Sequence, residues 1–552
     1  MPVKPGSLIT ERLVRAALLF RVHLDAFRCS PFAYSRAVYW RVIGKKLRAR
    51  HHFAALKGQS PNAYRLWIAT SEAMQSSKAS VVADPGVNTI VVVDCREDAD
   101  DLSATLTSIR AQRDSAPEVV LLGVEFEGYG GYSFVQDAHE LVKWLEDVAA
   151  RSGKRQIWLI AIEAGDTLAP FAVATYEAER AEHPDACLFY ADDDLLTEGG
   201  GRIRPHFKPR WNPELYRFHD YLSGACIFAC EPASLKGQWP PAELPLDPEP
   251  IHVPMVLHHR RSRPHPVRPA TKPLLSAAES PHVCVVVPTR NGVELMKTVM
   301  AGLARTSYPS FDVTVIDNDS DDPAAVAYLR ELADEGVGIV RSPGPFNFAA
   351  MHNQVIPSLP GPLLCFLNND IEIVNPDWLG VLVAQAVRCE VGAVGAKLLY
   401  PDGTIQHAGI LTGVGGGAGH AHRCQGAEDE GYFDRANLPQ FVSAVTGACL
   451  VVRKDRFEAV GGFDAEHFAV AFNDVDLCLK LNQRGWQSFY EPRAVLIHHE
   501  SKSRGFDRSG PQRMRFAGEL AALKSIWSTD RVVDPYHHPE LSSFGEAFVI
   551  RL

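Results

Sequence analysis

The stretch LLCFLNNDIEI (Leu363–Ile373) joins a short apolar run to a polar triplet and indicates the fold of the region around it. Five apolar residues in a row are typical of a strand buried on both faces of a parallel sheet. Ligands of such sheets bind at the carboxyl ends of the strands, where Asn368, Asn369 and Asp370 stand. Asn368 and Asp370 have alternate spacing, so both can point to one side. Their oxygens suit Mg²⁺ or Mn²⁺ when substrate phosphates complete the coordination shell.

Two further polar clusters follow apolar runs upstream of this stretch. One is Pro288–Asn291, after the run Val283–Val287, and the other is Asp317–Ser320, after the run Val313–Ile316. A single aspartate after a strand is more often a helix cap. Three clusters in equivalent positions instead favour one polar edge of a parallel sheet, because strands alternate with helical stripes throughout residues 282–500.

The first half of the chain repeats this alternation more weakly. Apolar runs at Thr89–Val93, Val119–Leu122 and Trp158–Ile162 predict buried strands within residues 88–230. The proline-rich residues 231–281 predict a linker or a tail of this first unit. We therefore expect two α/β units in tandem.

The N-terminal residues differ in charge from the rest of the chain. Residues 1–74 contain thirteen Lys and Arg against three Asp and Glu, a local charge of +10, whereas the whole chain carries −10. Residues 8–56 interleave aromatic side chains with these cations in a helical pattern. The pattern fits a helix on an anionic membrane surface and equally a solvated helical hairpin packed on the next domain.

Composition excludes several classes of protein. The 552 residues are 46% hydrophobic and 22% charged, which is ordinary globular usage. No run approaches the roughly 18 apolar residues of a membrane span, and Ala16–Phe20 is too short for a signal peptide. The negative net charge argues against nucleic-acid binding. The eleven cysteines include no CxxC pair, which predicts reduced thiols and a cytoplasmic protein.

The second unit carries motifs that are weak one by one but specific together. They are VVVPTRN (Val285–Asn291), VIDNDS (Val315–Ser320), PGPFNFAAMHN (Pro343–Asn353), FLNND (Phe366–Asp370), TGACLVVRKDRFEAVGGFD (Thr446–Asp464), NDVDLCLKL (Asn473–Leu481) and HHESKSRG (His498–Gly505). With these motifs, residues 282–510 resemble family 2 glycosyltransferases of the GT-A fold, in particular bacterial O-antigen and rhamnan-type transferases. The segment Asp534–Ser542 extends the resemblance into the tail.

The resemblance implies a role for each matching residue. Thr289 would meet the base or ribose of the nucleotide, and Asp317 would hydrogen-bond a pyrimidine. The family's metal-binding Asp-x-Asp reads Asn368-x-Asp370 here, which makes Asp370 the main ligand of Mg²⁺ or Mn²⁺. His498 or His499 would add a further ligand, and we assign His498. The residues implied in nucleotide binding are Pro288, Thr289, Asn291, Asp317, Asn347, Asn353 and Asn369.

The catalytic base of the family lies in an acidic pair that opens a helix. Here the pair reads Asn473-Asp474, which makes Asp474 the candidate. An inverting transfer needs one carboxylate to take the proton of the acceptor hydroxyl as it attacks the anomeric carbon. Asp476 is the alternative for the same role, because the two residues are two positions apart near a predicted helix start, where caps are common.

The first unit also resembles this family, but other residues stand where the residues that carry the chemistry are expected. Val93–Arg96 stands where PTRN is expected, Gly123 where the nucleotide aspartate is expected, and Glu163–Asp166 where the metal motif is expected. We expect a degenerate domain that serves architecture, acceptor binding or pairing. Asp192–Asp194 is interpreted as a solvated turn rather than a metal site. The matching segments are LFYADDDLL (Leu188–Leu196), RPHFKPRWNPEL (Arg204–Leu215) and HVPMVLHHR (His252–Arg260).

A glycine run, Gly413–Ala418, nominally fits a dinucleotide-binding fingerprint. No helical pattern follows it, so the sequence argues against such a site. Residues 411–436 are instead interpreted as a mobile lid over the acceptor side.

Together these patterns predict an α/β chain of two tandem GT-A-like domains with a basic helical N-terminal arm. The arm would span 1–80, the degenerate domain 81–275, the catalytic domain 276–505 and a helical tail 506–552. The predicted activity is inverting transfer from a nucleotide-diphosphate sugar to a glycan or lipid-linked saccharide, at the inner face of the cell membrane.

Two alternative functions use the same residues differently. A non-catalytic scaffold of a polysaccharide assembly complex would not need Asp317, Asp370 and Asp474, and their presence favours the enzyme. A sugar nucleotidyltransferase would carry a glycine-rich phosphate loop after its first strand, which PTRNG matches poorly.

Overall fold

The structure, a computed structural model, describes residues 5–72, 87–97, 101–113, 115–123, 131–151, 156–499 and 510–552. Within these residues the chain forms two mixed α/β units in tandem, each built around one sheet. Helices precede the first unit, and a C-terminal segment follows the second. The predicted boundaries at 80 and 505, and residues 500–505 of the last sequence motif, lie outside the described residues.

The first sheet consists of runs rich in β-branched and aromatic residues, which favour buried strands. Its strands are β1 (Val87–Asp94), β2 (Glu118–Leu122), β3 (Ser133–Val135), β4 (Gln156–Glu163), β5 (Thr167–Leu168), β6 (Leu188–Leu196), β7 (Arg202–His206), β8 (Cys226–Cys230) and β9 (Ile251–Arg260). β9 lies inside the proline-rich region, which is therefore part of the first unit and not only a linker.

The second sheet has at its centre the strands predicted from the apolar runs around Leu363–Ile373. Its strands are β10 (Val283–Thr289), β11 (Phe311–Asp317), β12 (Gly338–Arg341), β13 (Leu363–Leu367), β14 (Ile371–Ile373), β15 (Val391–Leu399), β16 (Ile405–His407), β19 (Gln440–Val442), β20 (Cys449–Arg453) and β21 (Gln487–His498). A separate ribbon pairs β17 (Ile410–Thr412) with β18 (Ala418–His420).

The two sheets share one topology. The first runs β3-β2-β1-β4-β8-β6-β9-β5 and the second β12-β11-β10-β13-β20-β15-β21-β14. In each, the first four strands are parallel neighbours, and the fifth is antiparallel to the strands on both its sides. Positions in the first sheet can therefore be matched to positions in the second.

Helices cover both faces of the sheets and form the N-terminal segment. They span Pro5–Cys29, Pro31–Val42, Lys46–Gly58, Ala63–Trp67, Leu102–Arg110, Ala138–Arg151, Ala172–Glu182, Pro213–Tyr216, Val293–Ala304, Pro323–Asp334, Phe348–Val355, Trp378–Ala386, Lys454–Ala459, Asn473–Gln483 and Gly510–Trp527. Their starts follow from local sequence. Pro323, for example, occupies the first turn of its helix, and the Asp322 side chain accepts the Ala325 N–H.

The N-terminal helices are anchored at their C-terminal end. Tyr64 and Trp67 are buried in a cluster with Phe207 of the first unit and with Leu411 and Phe548. The three helices before them expose much of their apolar surface, as described below. Residues 63–67 are therefore part of the folded core, whereas the preceding helices form a more open surface.

The first unit packs directly on the second. The buried Asn212 amide donates to the Phe441 carbonyl at 2.9 Å, and its oxygen accepts the Phe441 N–H at 3.2 Å. Arg388 forms an ion pair with Glu214, and His206 stacks on Phe433 at 3.6 Å between ring centroids. The segment Arg204–Leu215, one of the recognisable motifs, thus forms much of this interface.

The C-terminal segment is helical only in part. After the helix Gly510–Trp527 the chain is irregular and lies across both units. The Asp534 carboxylate accepts the Thr412 N–H at 2.7 Å, and Trp67 donates to Glu540 at 2.7 Å. Residues 528–552 also contact one another, for example through the Ser542 N–H, which donates to the Val549 carbonyl at 2.8 Å, so the helical part of the tail ends at Trp527.

Candidate active site

The polar clusters predicted to bind the nucleotide lie at the carboxyl edge of the second sheet. β10 and β11 are paired so that Thr289 lies beside Asp317 at their ends. The Asn369 amide donates to the Thr289 hydroxyl oxygen at 3.0 Å, and one Asp317 oxygen accepts the Ser320 N–H at 2.9 Å. The three strand ends therefore converge, and all three clusters face one region.

Pro288 and Asn291 shape the first of these loops. Pro288 lies beyond the last β10–β13 pair, Val286 with Phe366, so its missing N–H removes no bond to β13. Asn291 has a φ of +57°, a conformation that asparagine tolerates better than most residues. Its side chain donates to Asp321 at 2.8 Å, which ties the first loop to the second.

Arg341, at the end of β12, adds a cation that the sequence motifs did not indicate. Its Nε lies 3.4 Å from an Asp317 oxygen, and its Nη2 lies 3.6 Å from Asp319. The side chain is 66% exposed, so it can move towards a ligand. Its position at a strand end next to Asp317, rather than any motif, identifies it.

Asn347 and Asn353, which are predicted to contact the nucleotide, hydrogen-bond backbone groups in this structure. The Asn347 oxygen caps the helix Phe348–Val355 by accepting the Ala350 N–H at 2.8 Å, and its amide donates to the Ala465 carbonyl. The Asn353 side chain bonds both the N–H and the carbonyl of Phe463, at 3.0 and 2.7 Å. Both amides thus position the segment that leads to Asp474.

The residues predicted to bind a metal lie next to one another. His498 Nε2 is 3.1 Å from Asp370 Oδ1, and both side chains are buried. Two neighbouring ligands of an octahedral ion at about 2.1 Å lie roughly 3 Å apart. His499 faces Glu372 instead, at 2.9 Å. The spacing and the oxygen–nitrogen donor set of Asp370 and His498 therefore fit a divalent cation.

Asp474 lies in the first turn of the helix Asn473–Gln483 and faces the loop before β20. One oxygen accepts the Gly447 N–H at 2.9 Å, and the other accepts the Val475 N–H at 2.9 Å. The neighbouring Ala448 carbonyl accepts the Asn368 N–H at 2.9 Å, which connects this loop to the metal-side strand end. Burial raises the pKa of Asp474, so its carboxylate is more basic than an exposed one.

Asp476 is engaged in structural contacts. It accepts the Trp527 indole N–H at 3.0 Å and forms an ion pair with Lys480 at 2.9 Å. The side chain is buried, so both partners are needed to offset the cost of its charge. Within the described residues, the Asp474 carboxylate is bound by backbone N–H and hydroxyl groups and by no cation, in contrast to that of Asp476.

A pair of histidines beside the site was not identified from sequence. His407 Nδ1 and His420 Nδ1 are 3.0 Å apart, so one of them carries the shared proton. The Gly409 N–H donates to His407 Nε2, which puts the proton of His407 on Nδ1 and leaves His420 protonated on Nε2. Burial, and the nearby His498, lower the pKa of both rings. In the sequence, these histidines lie in two short motifs, QHAG (Gln406–Gly409) and GHAH (Gly419–His422), from which the pair could have been suspected.

The matching edge of the first sheet carries different chemistry. Asp166 precedes β5 as Asp370 precedes β14, and His259 pairs with β5 as His498 pairs with β14. The Arg261 N–H, however, donates to Asp166 at 2.7 Å. In the register of the first two strands, Leu122 lies beside Asp94, and Gly123 follows directly after the end of β2.

Arginine side chains fill the space that ligands would need there. A Cβ on Gly224 would lie 2.5 Å from Arg260 Nη2, whereas a Cβ on the matching Gly447 would have Asp474 as its nearest neighbour, at 3.5 Å. A Cβ on Gly165 would lie 2.3 Å from the Arg261 side chain. The edge of the first sheet is therefore closed, in agreement with a degenerate site.

Asp192–Asp194 do not form a solvated turn, as the sequence had suggested. They lie within β6 and are buried, because each has a cationic or imidazole partner. Lys208 pairs with Asp193 at 2.8 Å, and Arg202 pairs with Asp194 at 2.6 Å. The three carboxylates thus connect parts of the chain that are distant in sequence.

Asp192 forms a cluster with His252 and His538 that has the composition of a metal site. Its two oxygens lie 2.9 and 2.8 Å from the two Nε2 atoms. His538 Nδ1 accepts the Glu540 N–H, however, so its ring proton is on Nε2. A metal-bound histidine donates its other ring N–H instead. The cluster is therefore a hydrogen-bonded contact between the C-terminal segment and the first unit.

The segment interpreted as a mobile lid is folded into the protein. Its first residues form the β17–β18 ribbon, with Gly413–Gly417 at the tip. Arg435 is buried and bonds Gln440 and the Tyr536 carbonyl. No helix follows the glycine run within the described residues 418–434, so the rejection of a dinucleotide site stands.

In the part of the chain that the structure describes, no helix is both long and apolar enough to cross a membrane. Most of the described cysteines are buried.

Comparison with known proteins identifies relatives of both units. A family described as "Glycosyltransferase like family 2" matches residues 281–518. The uncharacterized protein y4gI of Sinorhizobium fredii is 33% identical over 72% of this chain and 50% of its own length. The O-antigen biosynthesis protein RfbC of Myxococcus xanthus is 34% identical over 69% of this chain and 33% of its own length.

A third relative matches a smaller part of the chain but most of its own length. It is the N-acetylglucosaminyl-diphospho-decaprenol L-rhamnosyltransferase of Mycobacterium tuberculosis, 44% identical over 38% of this chain and 74% of the relative. The chain spans half or less of the length of the first two relatives.

Proposed function

Because the chain belongs to glycosyltransferase-like family 2, we propose that it transfers a sugar, with inversion, from a nucleotide-diphosphate sugar to a glycan or lipid-linked saccharide. Residues 276–505 would form the catalytic GT-A-like domain and residues 81–275 its degenerate counterpart. The observation that supports this most is the convergence of Asp317, the Asp370–His498 pair and Asp474 at one edge of the second sheet.

The donor would bind across the ends of β10, β11 and β13. Thr289 and Asp317 would contact the nucleoside, and the exposed Arg341 would approach the diphosphate. Asp370, His498 and the Asn368 amide would bind Mg²⁺ or Mn²⁺, which offsets charge on the leaving nucleoside diphosphate when it is present. The imidazole favours Mn²⁺, because Mg²⁺ prefers oxygen ligands.

Asp474 would act as the general base. Its carboxylate takes the proton of the acceptor hydroxyl as that oxygen attacks the anomeric carbon from the face opposite the leaving group. The raised pKa, caused by burial, strengthens the base. Positive charge that develops on the sugar would be stabilised by the carboxylates of this edge.

The relatives suggest a setting for the reaction. One is named as an O-antigen biosynthesis protein and another as a rhamnosyltransferase acting on a diphospho-decaprenol. By analogy, the chain would act in bacterial surface polysaccharide synthesis, with its basic N-terminal arm at the cytoplasmic face of the membrane. Nothing in the described residues favours the scaffold alternative.

A donor screen tests the proposal directly. Thermal stability of the full chain is measured with UDP, dTDP and GDP, each with and without Mn²⁺. A nucleotide at 100 times its dissociation constant stabilises the protein by about 2.7 kcal/mol. One nucleotide is expected to stabilise the protein more with Mn²⁺ than without it. Absence of any shift with all three nucleotides would contradict the proposal.

The duplicated topology offers a matched control. Asp370→Asn should abolish the Mn²⁺-dependent part of the shift, whereas Asp166→Asn alters the corresponding position of the closed first edge and should leave it unchanged. Burial raises the pKa of Asp166 to about 7, so an uncharged replacement there is mild. Equal effects of the two variants would argue that the second edge is not the donor site.

A further inference from the structure

A cleft of about 430 Å³ opens on the N-terminal arm, and its lining is basic and aromatic. It is formed by the helices Pro31–Val42 and Lys46–Gly58. The Trp40 ring lies at its centre, with Lys45 Nζ 5.0 Å and Arg48 Cζ 5.2 Å from the ring centroid. The lining residues are Arg36, Trp40, Arg48, His51 and His52.

The segment that forms this cleft carries positive charge without any acidic residue of its own. Residues 31–58 contain seven Lys and Arg and no Asp or Glu. The nearest acidic residues in sequence are engaged elsewhere: Asp25 accepts from Ser60 and Asn62, and Glu72 pairs with Arg202. Within the described ranges no carboxylate pairs with Arg36 or Arg48. Burial, Arg36 and His51 lower the pKa of His52, so an anion in the cleft would be stabilised.

The cleft lies close to the tip of the β17–β18 ribbon. A Cβ on Gly415, at the tip of the β17–β18 ribbon, would lie 3.4 Å from His51 Cε1. At the base of the ribbon, the Ile410 N–H donates to the Ala444 carbonyl at 2.8 Å. Ala444 lies three residues before Gly447, which binds Asp474. One short ribbon thus separates the cleft from the loop of the candidate base.

The same helices expose large apolar side chains. Phe32 is 81% exposed, Val42 78% and Tyr39 56%, and on the preceding helix Pro5–Cys29 the Phe20 side chain is 68% exposed. Exposed apolar residues beside a cationic cleft suit a ligand that has both an anionic head and an alkyl chain. Arginine binds phosphate oxygens through two parallel N–H groups, and two arginines face this cleft.

We propose that the cleft binds the phosphate or diphosphate headgroup of a membrane lipid and so places that lipid beside the β17–β18 ribbon. The inference rests on the proposed function in one respect, since a lipid-linked acceptor would carry such a headgroup. It goes further by assigning Arg36, Arg48 and Trp40 to the headgroup, whereas net charge alone would give no preference among anionic lipids.

Vesicle flotation of the full chain tests this. Phosphatidylcholine vesicles are doped with phosphatidylglycerol or with a polyprenyl diphosphate, at equal total charge. Wild type should float with the diphosphate vesicles to higher salt concentrations than with the phosphatidylglycerol vesicles. Arg36→Gln with Arg48→Gln should weaken binding to the diphosphate vesicles by roughly tenfold or more and remove the preference.

A matched variant separates the cleft from general charge. Lys46→Gln with Arg50→Gln removes the same charge from the same helical hairpin, outside the cleft lining, and should keep the preference. The proposal would be overturned if both double variants lost the preference for diphosphate vesicles equally. It would also be overturned if the wild type floated equally well with both kinds of vesicle. Stabilisation by free inorganic diphosphate without any preference for the diphosphate vesicles would assign the cleft to a soluble anion and overturn the lipid assignment.

The experiment is independent of sugar transfer. Asp474→Asn should lose transfer and float like wild type, so a failed headgroup preference leaves the transferase proposal intact. Conversely, an inactive protein that retains the preference supports the cleft and contradicts only the catalytic assignment.

Discussion

Replacement of Asp474 by asparagine tests the candidate base with the smallest change in shape. The variant keeps one oxygen but replaces the other with an amide nitrogen that cannot accept a proton. Loss of a general base typically lowers turnover by 10²- to 10⁴-fold. At about 1.36 kcal/mol per factor of ten, this raises the barrier by roughly 2.7 to 5.4 kcal/mol.

The contacts of Asp474 indicate that folding should survive the change. The Gly447 and Val475 N–H groups donate to different oxygens, so asparagine leaves one of them facing an amide nitrogen. An unsatisfied buried N–H costs about 1 to 3 kcal/mol. The variant also removes a buried negative charge. Burial makes this charge unfavourable, which is why the pKa of Asp474 is raised. Because these effects oppose each other, we expect a change in the free energy of unfolding below about 2 kcal/mol.

The pH dependence gives a second readout. An ordinary aspartate has a pKa near 3.8. Because the pKa of Asp474 is raised above this value, its carboxylate gains a proton at a higher pH. Activity should therefore fall as the pH decreases through this raised value. The same shift implies that the native state binds this proton more tightly than the unfolded chain. The stabilisation from this group is therefore full below the ordinary aspartate pKa and is lost as the pH rises through the raised pKa of the folded protein.

The assay is single-turnover transfer with the donor found in the screen, beside nucleotide binding by thermal shift. Asp476→Asn is the matched control, because it alters a carboxylate two positions away that bonds Trp527 and Lys480. We expect Asp476→Asn to lower the free energy of unfolding and to reduce turnover less than Asp474→Asn does. A larger loss of turnover in Asp476→Asn than in Asp474→Asn would refute the assignment of the base.

Three further outcomes are expected. Asp370→Asn should reduce transfer by on the order of 100-fold or more, as should EDTA, and full activity in excess EDTA would contradict the metal site. Asn212→Ala should lower the free energy of unfolding by about 2 to 4 kcal/mol in denaturant titrations, because both backbone groups of Phe441 lose their partner. Reversing the charges of Lys45, Lys46, Arg48 and Arg50 should abolish flotation with anionic vesicles at low salt, and unchanged flotation would argue against a membrane contact of the arm.

The strands of the second unit could be predicted because their sequence pattern is strong. LLCFL and VCVVV are uninterrupted apolar runs, and the structure has both as buried strands of the second sheet. The convergence of Thr289, Asp317 and Asp370 followed from one rule, that parallel strands end at a common edge. The helix start expected at the Asn473-Asp474 pair is also found, because the pattern that predicts it is local.

Other features depend on contacts that no local pattern records. Asp192–Asp194 are interpreted from the sequence as a polar turn, but their partners come from the neighbouring β7 segment (Arg202, Lys208) and from the C-terminal segment (His538). Asn347 and Asn353 belong to a nucleotide-binding motif by resemblance, yet their amides are satisfied by backbone more than a hundred residues away. Tertiary contacts decided each of these cases.

The two units differ most in how their buried carboxylates are compensated. In the first, Asp193 and Asp194 are paired with Lys208 and Arg202, and arginine side chains occupy the closed edge. In the second, Asp474 has backbone and hydroxyl donors but no cationic partner in the part of the chain that the structure describes, so burial makes its charge costly. A carboxylate that is fully paired stabilises the fold but cannot take a proton from a ligand. The first unit instead supports the second through contacts between the two, such as the ion pair of Arg388 with Glu214.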